Sequence, residues 1–171
     1  MLLNWPVLVC LVAACIATVT DLRTRIIPNW LTLPLPVLAL FAHFMQSGAS
    51  GLLTSALGCL VCFLPGFFLF ARGAVGGGDV KLFSALGALL GAGDGLELQL
   101  TAFVLVSAYT VWRMAWHGKL WALMTASYRA TLYLALPSRF AAPSAGEGSQ
   151  ELPMGLSILL AALALALRET L

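Results

Sequence analysis

Six apolar runs, Leu2–Thr20, Trp30–Met45, Leu52–Ala71, Val80–Leu90, Leu98–Trp112 and Met154–Leu167, take up most of this 171-residue chain and leave few folds open to it. A run approaching 20 apolar residues is long enough to cross the hydrocarbon of a bilayer as a helix. A backbone in lipid has to satisfy its own hydrogen bonds, and these runs are too continuous for the alternating strands of a barrel. Only 9% of the residues are charged and the mean hydropathy is +0.97, whereas soluble domains carry roughly a quarter charged residues. The expected fold is an all-α polytopic membrane protein, a bundle of about six transmembrane helices forming one domain over residues 1–171. A soluble globular domain is excluded.

The charges sort by loop. Arg23 and Arg25 follow the first run, Arg72 and Lys81 flank a glycine-rich turn, and Arg113, Lys119, Arg129 and Arg139 follow the fifth run. The loops Gln46–Gly51 and Gly91–Glu97 hold no Lys or Arg, and the second carries Asp94 and Glu97. Eight of nine basic residues thus fall on one side, with Arg168 on the other. The positive-inside rule makes that side the cytoplasm and puts both termini outside. Residues 114–152 are expected to form a cytoplasmic or interfacial segment. Within it, 120–136 reads as an interfacial helix because Arg129 sits in its middle, though a further span stays open. Pro137–Gln150 reads as a polar linker. Val12-Ala13-Ala14-Cys15 faintly resembles a lipoprotein cleavage box. No basic residue precedes the first run, so that run is expected to stay in place.

Two acids lie where such a chain tolerates them least. Asp21 closes the first run and Asp79 opens the fourth, at the same expected membrane face. Ionisable groups at membrane depth are costly and mark functional sites. Two close carboxylates share a proton, and the pair can activate water against a peptide carbonyl. Each acid also has a plainer reading. Asp79, after Gly76, Gly77 and Gly78, suits an acidic helix start, and Asp21 with Arg23, Arg25, Pro28 and Asn29 suits a turn with basic anchors. The glycines permit positive φ and close backbone approach, as an extended substrate strand would require. Val80–Leu90 covers only about 16 Å as a helix against a core of roughly 30 Å, so it has to be enclosed by protein or thinned lipid. Gly87 and Gly91 offer a small-residue packing face. Asp94 repeats the Gly-x-Gly-Asp spelling but lies about 22 Å further along a helix, at the opposite face, and reads as a solvated loop residue.

Asp21-Leu22-Arg23 through Ile27-Pro28-Asn29-Trp30-Leu31-Thr32, then Gly76-Gly77-Gly78-Asp79-Val80-Lys81-Leu82, closely resembles the type IV prepilin peptidases, and Pro153-Met154-Gly155-Leu156 is similar to the Pro-x-Gly that opens their last span. The resemblance implies an intramembrane aspartic endopeptidase with Asp21 and Asp79 as its catalytic pair. It implies cleavage of prepilin or pseudopilin leaders at the cytoplasmic face of the bacterial inner membrane. Gly76, Gly77, Gly78, Lys81, Arg23, Arg25, Pro28 and Asn29 become candidates for substrate binding or support. Larger members carry a cytoplasmic four-cysteine zinc region linked to N-methylation, which has no counterpart in this sequence. The short form resembles the Tad/Flp-type peptidases, which implies cleavage without methylation.

No cofactor or metal is expected. Cys59-x-x-Cys62 has metal-like spacing, but its cysteines, like Cys10 and Cys15, fall within spans and suit small apolar packing better than four-ligand zinc. His43 and His117 have no evident Ser or Cys partner, and no nucleic-acid patch is visible. Two other roles for Asp21 and Asp79 remain open on the residues alone. One is a proton relay in a transporter, although relays place acids at mid-membrane. The other is a packing element in a secretion-assembly subunit.

Overall fold

The computed structural model describes residues 4–73, 75–116 and 154–170, and every regular element among them is an α-helix. Helix α1 is Trp5–Thr24, α2 Asn29–Thr32, α3 Pro34–Ala71, α4 Gly77–Trp116 and α5 Met154–Thr170. Three stretches, Trp5–Thr24, Asn29–Ala71 and Gly77–Arg113, are long and apolar enough to cross a membrane. The chain divides into two compact units, Met1–Phe103 with Pro153–Leu171, and Val104–Leu152. The described part of the second unit is the end of α4, where Tyr109, Trp112 and Trp116 follow at one-turn spacing as tilted ring pairs with centroids 6.0 and 6.1 Å apart. Most of the expected segment 114–152, including 120–136 and its linker, lies outside the described residues.

Helices α3 and α4 are long only in chain order. Each is broken at a single glycine, Gly48 (φ 61°, ψ −140°) and Gly91 (φ 82°, ψ 179°). The second break reverses the chain: the Phe83 and Phe103 rings lie tilted against each other with centroids 5.3 Å apart, where an unbroken helix would separate them by about 30 Å. At the first, a Cβ on Gly51 would lie 2.1 Å from the carbonyl oxygen of His43, so the chain folds back on itself there too. The loops expected over Gln46–Gly51 and Gly91–Glu97 are therefore shorter than the sequence suggested. One glycine in a conformation closed to L side chains makes each reversal, and the residues beside it stay helical.

On α1 the large apolar side chains face outward and the small ones inward, an arrangement that lets helices approach closely in lipid. On α1, Cys10, Ala13, Ala14 and Ala17 are buried while Leu8, Val12, Val19 and Leu22 are exposed. Helix α5 packs against α1, with its own Ile158, Ala161, Ala162 and Leu165 buried and Leu165 clustered with Val7. The short stretch after Asp79 is enclosed: Val80, Leu82, Phe83, Leu86 and Leu89 are at most 3% exposed. Its end is held against α3 at backbone contact. A Cβ on Gly58 would sit 2.1 Å from the Gly87 oxygen and 2.8 Å from Gly91 Cα. A helix end leaves carbonyls without intrahelical partners, and side chains of α3 supply them here. Ser55 Oγ donates to Ala88 O at 2.7 Å and His43 Nε2 to Leu89 O at 2.9 Å.

Candidate active site

Asp21 occupies the last turn of α1, on the face that α5 covers. Its Oδ2 accepts the backbone N–H of Gly155 at 3.0 Å. Gly155 is the second residue of α5, so this N–H is one that a helix start leaves unpaired, and the carboxylate caps it at the positive end of the dipole. One turn earlier, Thr18 Oγ1 lies 2.8 Å from Gly155 O and 2.7 Å from Ala14 O, sharing its proton between them. Only a glycine fits at 155, because a Cβ there would come within 2.9 Å of Thr18 Cα and 3.1 Å of Asp21 Oδ2. Helix α1 stops at Arg25, which takes left-handed backbone angles (φ 53°) and donates its N–H to Asp21 O at 2.9 Å.

Asp79 lies in the first turn of α4, and its carboxylate is hydrogen-bonded to the backbone of Gly76 just before the helix. An acid reaching back to the residue ahead of its helix is half of a capping box. The three glycines serve packing within the protein. A Cβ on Gly76 would stand 3.1 Å from Asp79 Oδ2, one on Gly77 3.3 Å from the Phe70 ring, and one on Gly78 3.2 Å from Ile27. The positive φ expected of this stretch falls earlier, on Gly73 (φ 71°), where the chain turns out of α3.

The two acids come together. The charge of Asp21 acts on Asp79, so the carboxylates lie within electrostatic reach of each other. The connection after Asp21 is folded onto the start of α4: Ile27 covers Gly78, and Lys81 Nζ donates to Asn29 Oδ1 at 3.0 Å. Pro28 sets the extended residue from which α2 begins. Arg23 is exposed in the last turn of α1, and Arg25 acts through its backbone at the helix end. Thr18, Ile27 and the role of Gly155 toward Asp21 escaped the sequence reading. The one signal for Thr18 was its spacing, three residues before Asp21 and so on the same helical face.

Asp94 is placed apart from the pair, though differently from expectation. The helix resumes straight after Gly91, so Asp94 and Glu97 sit on successive turns and both receive Arg168 of α5, Asp94 at 2.9 Å. An acid expected to be simply solvated is thus ion-paired. Cys59 Sγ lies 3.1 Å from Ser84 Oγ and Cys62 is buried beneath Gly87 and Gly95. Among the described residues no three His, Cys, Asp or Glu side chains gather in a way that would hold a metal ion. His117 lies outside the described residues.

Residues 8–111, which contain both acids, match the type IV leader peptidase family. The preflagellin peptidase of Methanocaldococcus jannaschii is 37% identical over 79 residues, which cover 44% of this chain and 33% of that protein. The prepilin leader peptidase/N-methyltransferase of Bacillus subtilis is 37% identical over 90 residues, covering 51% of this chain and 36% of that protein. Its Vibrio cholerae counterpart is 35% identical over 80 residues, covering 43% and 31%. The similarity thus spans about a third of the length of these curated relatives. No solved structure matches the chain.

Proposed function

Because the chain belongs to the type IV leader peptidase family, we propose that it is a membrane aspartic endopeptidase with Asp21 and Asp79 as its catalytic pair. The observation that carries this reading is the gathering of two acids, 58 positions apart in the chain, each held at a helix start, Asp79 in the first turn of α4 and Asp21 against the first turn of α5. An aspartic mechanism uses one member of the pair protonated and the other ionised. The ionised member takes a proton from water, whose oxygen attacks the scissile carbonyl carbon while the protonated member donates to the carbonyl oxygen. Collapse of the tetrahedral intermediate breaks the C–N bond, and the departing amine takes up a proton from the pair.

The breaks at Gly48 and Gly91 support counting six spans, with both acids at one face and Asp94, Glu97 and Arg168 at the other. The charge bias favours the cytoplasmic face of the inner membrane for the acids, with both termini periplasmic. Substrates of this reading are N-terminal leaders of prepilins or pseudopilins of the Flp type, cut without N-methylation.

The test is cleavage of an Flp-type prepilin in membranes, with Asp21→Asn, Asp79→Asn and Asp94→Asn beside wild type. Loss of roughly 10²–10⁴-fold in the first two, with Asp94→Asn retaining activity, is the expected pattern. Asn at 21 still accepts from the Gly155 N–H, so α5 stays seated. Cleavage surviving either of the first two substitutions ends the aspartic reading.

A further inference from the structure

The geometry points to Thr18 and Gly155 as positioning residues that hold the Asp21 carboxylate in its working orientation, a role that rests on the peptidase reading above. An aspartate side chain has two torsions, and both have to be fixed for its carboxylate to hold one orientation. Here Oδ2 is tied to the Gly155 N–H at 3.0 Å, but that bond fixes the carboxylate only if Gly155 is itself fixed. Thr18 does this. Its hydroxyl lies 2.8 Å from the carbonyl of the same glycine, so both backbone polar groups of Gly155 are held by α1, by side chains one helical turn apart. Sliding α5 along α1 breaks both contacts together.

The approach is also closed sterically. Only a residue without Cβ reaches this position, since a Cβ at 155 would meet Thr18 Cα at 2.9 Å and the carboxylate oxygen at 3.1 Å. Thr18 is 5% exposed, so its hydroxyl faces protein rather than lipid or water. The bond to Ala14 O would satisfy that hydroxyl by itself, as threonines in helices commonly do. Its second acceptor on another helix, 137 residues away in the chain, is what a positioning role requires. Neither Thr18 nor Gly155 touches substrate in this assignment; both act through Asp21.

Thr18→Val keeps the shape and removes the donor, and Thr18→Ser keeps the donor. Prepilin cleavage by purified protein, read as separate kcat and KM, distinguishes positioning from general loosening. A carboxylate displaced by a fraction of an ångström lowers kcat by about 10–100-fold and leaves KM within about threefold. Thr18→Ser is expected within about threefold of wild type, and Gly155→Ala to lose kcat at least as far as Thr18→Val. The melting temperature of each variant in detergent is measured to show that it is folded at the assay temperature. If Thr18→Val fails to fold, Thr18→Ala against Thr18→Ser gives the same comparison. A folded Thr18→Val with wild-type kcat, a loss confined to KM, or a Thr18→Ser as impaired as Thr18→Val overturns the assignment. Asp21→Asn in the same series separates the two claims. If it is inactive while Thr18→Val is fully active, only positioning falls; if it is active, the peptidase reading falls and positioning with it.

Discussion

Replacing Gly58 by alanine tests how the helix that carries Asp79 is held. The Cβ would lie 2.1 Å from the Gly87 oxygen, and an ordinary contact is about 3.4 Å, so one backbone has to retreat by about 1.3 Å. Backbone opposes backbone here, and no side chain can rotate out of the way. A retreat of that size stretches the 2.7 Å bond from Ser55 Oγ to Ala88 O to about 4 Å, beyond hydrogen-bonding range, at a cost of about 1 kcal/mol. Overpacking and the gap opened along the rest of the interface add about 1–3 kcal/mol. The expected total, about 2–4 kcal/mol, lowers the melting temperature by about 5–15 °C in a protein of this size. Gly93→Ala is the control, because its Cβ meets nothing within 4 Å. An alanine in that helical position is expected to raise stability by about 0.5–1 kcal/mol. Thermal unfolding of the two variants in detergent, followed by circular dichroism, gives the comparison. Gly58→Ala melting at or above wild type would refute the close approach and with it the account of how α4 is seated.

Ser55→Ala leaves the buried Ala88 carbonyl without its side-chain partner and is expected to cost about 1–3 kcal/mol in the same unfolding assay, whereas Ser50→Ala, at an exposed position, is expected to cost less than about 0.5 kcal/mol. Arg168→Gln removes an exposed pairing with Asp94 and Glu97 and is expected to leave cleavage within about twofold of wild type; a large loss would mean that this far cluster governs the site directly.

The apolar runs were legible because lipid forces a simple rule on the sequence, and helices form where those runs lie. The loops between them were misjudged for a physical reason. Composition marks Gly91–Glu97 as a turn, but only Gly91 needs angles closed to other residues, and Ala92 to Glu97 return to helix. The same confusion moved the positive φ to Gly76, Gly77 and Gly78, where glycine is used for closeness, while Gly73 makes the turn. The acids themselves stood out because a charge in an apolar chain is rare. What they touch did not, since the Thr18–Gly155 and Asp94–Arg168 contacts join residues 137 and 74 positions apart, and no periodicity records such pairs.

Helix α5 resolves a difficulty that the sequence poses at Asp21. An acid in the last turn of a helix faces the negative end of that helix's dipole, which disfavours a carboxylate there. Asp79 has no such problem, because it sits at the start of its own helix beside Gly76. Asp21 obtains the equivalent environment from another helix, through the free N–H of Gly155. The opposite end of α5 is tied as well, by Arg168 to Asp94 and Glu97 of α4. One late helix therefore meets both elements that carry the acids, Asp21's helix at its first turn and Asp79's at its last. A chain whose sixth apolar run were merely a membrane anchor would need neither contact. The glycine that lets α5 reach Asp21 brings the first turn of that helix into the candidate site.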